Sequence, residues 1–240
     1  MKRIISMCLS AVLLLSLCVT GAAKTKTAQA EEKQKVIVID AGHQTRAMSA
    51  TEPIGPGSSQ RKAKVTGGAS GCVTHLPEYK LNLQVAKKLQ KELVNRGYKV
   101  IMVRTKNNVR MSNVQRAKVA NKYKADAFIR IHANSAGSSS VKGALTIAPA
   151  SNNRYMTKVN RKASQKLSKK VLKAMCKTTG AKNRGVMYTN SMTGINWCKV
   201  PVTIVEMGFM SNPSEDRKMA KASYQKKIVK GIVDGIDNFF

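Results

Sequence analysis

Acidic residues are scarce in this 240-residue chain, with 12 Asp and Glu against 43 Lys and Arg and a formal net charge of +31. The excess is spread along the chain rather than gathered in one arm. With 42% apolar residues there is material for a real core, so a disordered basic tail is excluded. A solvated surface of this sign seeks a polyanion: nucleic acid, an anionic membrane or an anionic wall polymer. Long apolar runs are missing beyond residue 20, so no later segment is expected to span a bilayer. There is no internal repeat and no Pro- or Ser-rich linker. Familiar hydrolase signatures are absent as well. No H-E-x-x-H helix occurs, His43 is not followed by an H-x-x-E pair, and there is no G-x-S-x-G elbow.

What the N-terminus does contain is Met1-Lys2-Arg3, an uncharged apolar stretch from Ile4 to Thr20, and small residues ending at Ala23 or Ala30. This is the order of a secretory signal, with cleavage expected after Ala30. An uncleaved signal anchor is the alternative. Cys8 and Cys18 lack the small preceding residue of a lipoprotein site. Loss of residues 1–30 removes Lys2, Arg3, Lys24, Lys26 and no acid, leaving +27 on residues 31–240. Export makes nucleic acid an improbable partner and moves the expected polyanion outside the cell. Cys72, Cys176 and Cys198 remain, too few for a disulfide framework, and are read as structural fillers.

Residues 31–240 are read as one domain. The β-branched run Val36–Ile39 predicts a buried strand. Residues 44–77, rich in Gly and Pro, are expected to form a long functional loop. Leu81, Val85, Leu89 and Leu93 define one face of a helix that ends at Arg96-Gly97. Strands are expected at 98–103, 127–131, 143–148, 186–189 and 200–205. Further helices are expected at 113–123, 154–179 (with Tyr155 and Val159 on its apolar side) and 214–240. Alternation of this kind predicts an α/β three-layer sandwich with a central, largely parallel twisted sheet flanked by helices.

In such folds the crevice lies at the carboxyl ends of the strands. His43 follows the first strand, His132 the third, Glu206 interrupts the last, and Glu78 opens the first helix. Two imidazoles and a carboxylate suit a zinc ion with an open position, and a second carboxylate would complete a hydrolytic site. Plain readings stay open: a loop histidine, or a glutamate favoured by the helix dipole. Glu206 is the hardest to dismiss, because an acid inside Val202–Val205 is costly unless paired or near metal. His75 competes as a ligand but lies in an irregular stretch.

Val36–His43 (VIVIDAGH) resembles the opening strand and D-P-G-H signature of the zinc-dependent N-acetylmuramoyl-L-alanine amidases of type 3, bacterial cell-wall hydrolases. Glu78 with Leu81-Asn82-Leu83, Ile131-His132-Ala133-Asn134, and Val205–Pro213 (VEMGFMSNP) resemble that family's later motifs, in family order, over about residues 35–238. Ala41, Gln44 and Arg130 depart from its usual pattern, and none of them replaces a ligand. The resemblance implies one Zn2+ held by His43, Glu78 and His132, with Glu206 as catalytic acid/base. It implies cleavage of the amide between N-acetylmuramic acid and L-alanine in peptidoglycan. Asn134 and Arg116 are the expected substrate contacts, with support of the fold as the alternative role of Arg116. Glu52–Gly57 resembles a segment of some members and is expected either to border the groove or to be an ordered surface loop. The protein is expected to be a secreted, wall-associated monomer that binds anionic wall polymers through its basic surface and binds no nucleic acid. Two other readings remain at this stage: a non-catalytic wall-binding protein on the same fold, and a zinc peptidase acting within the stem peptide.

Overall fold

The computed structural model describes residues 34–240; the expected signal at 1–30 lies outside the described residues. Elements run β1 (Val36–Ala41), β2 (Met48–Pro53), β3 (Arg61–Val65), α1 (Glu78–Asn95), β4 (Lys99–Met102), α2 (Asn113–Lys122) and β5 (Ala127–Asn134). They continue as β6 (Ala144–Pro149), α3 (Lys158–Thr179), β7 (Asn183–Thr189), α4 (Thr193–Asn196), β8 (Val202–Phe209), α5 (Pro213–Ala220) and α6 (Ala222–Asp237). The main sheet has six strands in the order β4-β1-β5-β8-β6-β7. β1, β4, β5 and β8 run parallel, β6 pairs antiparallel with β8, and β7 runs parallel to β6.

Alternation along the central strands sends side chains to two cores. Ile37, Ile39, Ile129, Ile131 and Val205 face α1, α3 and α6, whose inner residues include Leu81, Leu89, Leu167, Val171, Ile228 and Ile232. Val38, Phe128, Val202 and Ile204 face the opposite way, toward Ala117 and Ala120 of α2 and Ile195 of α4. One face therefore carries long helices, whereas the other carries two shorter ones beside a hairpin. The sandwich expected from the sequence is the one found. Among the described residues no helix is long and apolar enough to cross a membrane.

Several local expectations change. The stretch 44–77 is not all loop, since β2 and β3 pair antiparallel within it. Their residues, MSATEP and RKAKV, are mostly polar and solvent-facing, so they carry no hydrophobic alternation from which to read a strand. α3 starts at Lys158, where Thr157 caps it by accepting from the Asn160 amide, so Tyr155 precedes the helix; Val159 is 75% exposed rather than inward. Gly180 ends the helix with φ 71°, a left-handed conformation that favours glycine. The closing helix is divided at Lys221, whose extended backbone separates α5 from α6. Cys72, Cys176 and Cys198 are free thiols.

Candidate active site

The site is built outward from Asp40, fully buried near the end of β1. Arg116 of α2 donates from Nη1 to its Oδ1 at 2.6 Å, and Arg130 of β5 donates from Nε to its Oδ2 at 3.0 Å. Burial alone would raise the Asp40 pKa, but the two guanidinium groups outweigh it and hold the carboxyl well below the usual carboxylate range. Arg116 then reaches the chain that follows, donating to the carbonyls of Ala41 (3.0 Å), His43 (3.1 Å) and Met111 (3.4 Å) and to Gln44 Oε1 (2.8 Å). Arg104 donates to the carbonyls of Ala41 (2.7 Å) and Gly42 (3.1 Å). These bonds hold His43 at φ 57°, a conformation unusual for a residue with a side chain.

Asp40→Asn should cost about 3–5 kcal/mol, because two buried guanidinium groups lose their shared counter-charge. Urea unfolding measures this, and an unchanged midpoint would contradict it. Since the folded pKa is depressed, the Asp40 contribution is fully present above the unfolded value of ~3.9 and declines as pH falls below it.

His43, Glu78 and His132 converge, each offering a donor atom within 4.8 Å of the others. Glu78 Oε1 lies 3.2 Å from His43 Nε2 and 3.2 Å from His132 Nδ1. The same oxygen accepts from Asn82 Nδ2 (3.0 Å) and the Ala133 amide (3.1 Å), while Oε2 accepts from the Ala69 amide (2.9 Å). Burial works against ionisation of Glu78, but the two histidines prevail and drive its pKa far down. Gly42 lies against the His132 ring, where a Cβ would fall 2.2 Å from Cε1. Burial pushes the His132 pKa down to about 4, so its ring is neutral at physiological pH.

The tautomers test whether a cation fits. His43 Nδ1 is 2.9 Å from the Thr66 carbonyl, which can only accept, so Nδ1 carries the proton. In a neutral ring Nε2 is then a bare lone pair facing a carboxylate oxygen. Two acceptors at 3.2 Å need a proton or a cation between them. In the protein alone Glu78 supplies that pull on a proton, and the His43 pKa is raised although burial opposes it. Ligands on a tetrahedral ion with bonds of roughly 2.0–2.1 Å would be about 3.3 Å apart, close to the two separations of 3.2 Å from Glu78, while the three donors lie within 4.8 Å of one another. The donor set therefore fits zinc, and the Thr66 carbonyl orients His43 as a partner of a metal ligand does.

Glu206 stands opposite His132 in the β5–β8 register. It borders two cavities that also share His43 and His132, of about 430 and 490 Å³. Its carboxylate forms no hydrogen bond or ion pair with a described residue. Burial, then the nearby Glu78 charge, pushes its pKa up to about 8 against the opposing pull of Arg130. A cation among the three donors would pull it down again.

The other expected site residues are divided. Asn134 borders the 490 Å³ cavity beside Glu206 and His132, with its Oδ1 accepting from the Ser135 amide at 2.8 Å. Arg116 does not face the groove as expected. It is 1% exposed, and its five N–H donors are all taken by Asp40, Ala41, His43, Gln44 and Met111, so none is left for substrate. Gln44, a departure from the family pattern, is used to bind Arg116 and the Met111 amide. Glu52 is buried and accepts from the Val114 amide in the first turn of α2, whereas Lys62, Ala63, Val65 and Thr66 of the β3 region line the cavity. His75 is not part of the cluster. Asn82, whose Nδ2 donates to Glu78, has no role assigned from the sequence; its spacing of four from Glu78 on one helix is the signal that carries it.

An α/β sandwich with a three-donor cation site at the carboxyl edge of its parallel strands, and an unengaged carboxylate beside it, has the form of a metal-dependent hydrolase. The family model for N-acetylmuramoyl-L-alanine amidase matches residues 37–238, and the chain belongs to that family. It is 30% identical over 165 residues to N-acetylmuramoyl-L-alanine amidase LytC of Bacillus subtilis, a match covering 69% of this chain and 32% of LytC. The chain thus spans about a third of that relative. Among solved structures, the catalytic domain of CwlV, the amidase of Bacillus (Paenibacillus) polymyxa var. colistinus, superposes with a TM-score of 0.68 at 30% identity, covering 86% of this chain and 98% of that one. Ami1 of Mycobacterium smegmatis shares the fold with a TM-score of 0.77 at 21% identity, covering 85% and 96%.

Proposed function

We propose that the protein hydrolyses the amide between N-acetylmuramic acid and L-alanine in peptidoglycan, with one Zn2+ held by His43, Glu78 and His132. The observation that carries this reading is the convergence of the three donors beside the unengaged carboxylate of Glu206, in a chain of this family. Held by these three residues, a zinc ion would supply Lewis acidity to a water and to the amide carbonyl. Glu206 accepts the proton of the attacking water and returns it to the departing alanine nitrogen. The Ala69 and Ala133 amides and Asn82 fix Glu78 in its ionised form. The Thr66 carbonyl keeps His43 Nε2 free to donate its lone pair. Asn134, which borders the same cavity as Glu206, is assigned in this reading to contact the substrate.

Mass spectrometry of digested peptidoglycan tests the reaction. Release of stem peptides with a free L-alanine amine is expected. Products cut inside the stem would identify a peptidase, and no product would identify a binding protein.

Residues 1–30 serve in this reading as a secretory signal and residues 31–240 as a single catalytic domain that acts at the wall as a monomer. The charge of +27 on residues 31–240 then attracts the enzyme to anionic wall polymers. Exposed charges are screened over about 10 Å at 0.1 M salt, so sedimentation with purified walls should weaken several-fold from low to high salt. Equal binding at both would count against the charge as the targeting device.

A further inference from the structure

Building on the amidase reading, we propose that Arg130 binds a carboxylate of the stem peptide in the 430 Å³ cavity beside His43, His132 and Glu206. Arg130 is 3% exposed, and its Nε and Nη2 are engaged by Asp40 (3.0 Å) and Asn113 Oδ1 (2.8 Å). Its Nη1 has no hydrogen-bond partner among the described residues, yet the side chain lines the cavity. Space for that nitrogen is built in. A Cβ on Gly194 would lie 1.8 Å from Nη1, so the start of α4 admits the guanidinium only because position 194 has no side chain.

The local charges do not balance. Asp40 is shared between Arg130 and Arg116, so one carboxylate faces two guanidinium groups. Glu206 borders the same cavity but forms no ion pair with Arg130, and Lys62 on the rim adds further positive charge. A buried surplus of this sign is costly unless an anion answers it. A guanidinium edge with free donors matches a carboxylate in particular, through charge-assisted hydrogen bonds.

Arg130 and His132 lie on one face of β5 and line the same cavity, so a carboxylate met by Arg130 belongs to the substrate beside the reacting centre. A glutamate linked through its side chain keeps a free α-carboxylate, which amidation removes, so a pair of peptides differing only there reads the contact.

The test compares two muramyl peptides, MurNAc-L-Ala-γ-D-Glu-L-Lys and its α-carboxamide counterpart, on the zinc-loaded enzyme. The free acid should be cleaved with a kcat/KM roughly ten- to a hundredfold higher, the range for hydrogen bonds to a charged group. Equal values would overturn the proposal. R130Q should bring the ratio close to one. G194A puts a methyl where the guanidinium lies, 1.8 Å from Nη1 and 2.5 Å from Cζ, so it displaces that group from the cavity and should reduce the ratio even if R130Q does not fold. A ratio unchanged in G194A and in folded R130Q would also overturn it. If neither peptide is cleaved, the amidase reading fails separately. Calorimetric affinities then decide: tighter binding of the acid by a similar factor supports the carboxylate site, and equal affinities refute it.

Discussion

Glu206→Gln should yield a folded, zinc-loaded protein whose hydrolysis of peptidoglycan falls by roughly 10²–10⁴-fold, the usual contribution of a positioned proton-transfer group. The substitution keeps the shape of the side chain but removes its ability to accept a proton. Retention of fold is expected because no described residue bonds to this carboxylate, so nothing is orphaned when its charge goes. Removing a half-buried acid whose pKa is already pushed up to about 8 should, if anything, relieve a cost in the metal-free protein. Retention of metal is expected because Glu206 is not among the three converging donors. The measurement is paired: release of stem peptide per unit time, and zinc per chain by mass spectrometry. Activity near that of the natural protein would remove Glu206 from the mechanism. Loss of zinc would make it a ligand instead.

His43→Ala should lose zinc on dialysis and with it all activity above background. The argument rests on Nε2, whose lone pair the Thr66 contact exposes toward Glu78. Alanine leaves two donors, one short of the three that catalytic zinc sites retain. The backbone at 43 should persist, because Arg116 holds its carbonyl and not its imidazole. His75→Ala is the matched control, since that histidine is outside the cluster and its loss should leave zinc at one per chain. Full occupancy in His43→Ala would refute the ligand assignment.

The parallel core was legible because its strands are buried on both faces and read as β-branched runs, as in Val36–Ile39 and Val202–Val205. The placing of His43, Glu78, His132 and Glu206 on one rim followed from the rule that crevices form at strand ends. The β2–β3 hairpin was hidden because neither strand buries a regular apolar face. Arg116 misled for a related reason. A basic residue on a basic helix looks solvent-facing, and only Asp40, distant in sequence, turns it inward. Arg130 was visible as a departure from the family pattern, but its pairing required knowing that β1 and β5 are neighbours.

The strand order also sets when in the chain's own history the molecule becomes complete. β8 lies between β5 and β6 in the sheet although nearly everything else precedes it in sequence. Until that strand arrives, β5 has an open edge and the β6–β7 pair has no place to attach, a situation prone to wrong pairing. His43 comes from the first strand of the chain and Glu206 from the last. A partly synthesised chain therefore holds the three converging donors without the carboxylate proposed to move the proton. In the proposed mechanism hydrolytic capacity therefore comes only with the final strand, and a chain that stops short of β8 has no means of moving the proton.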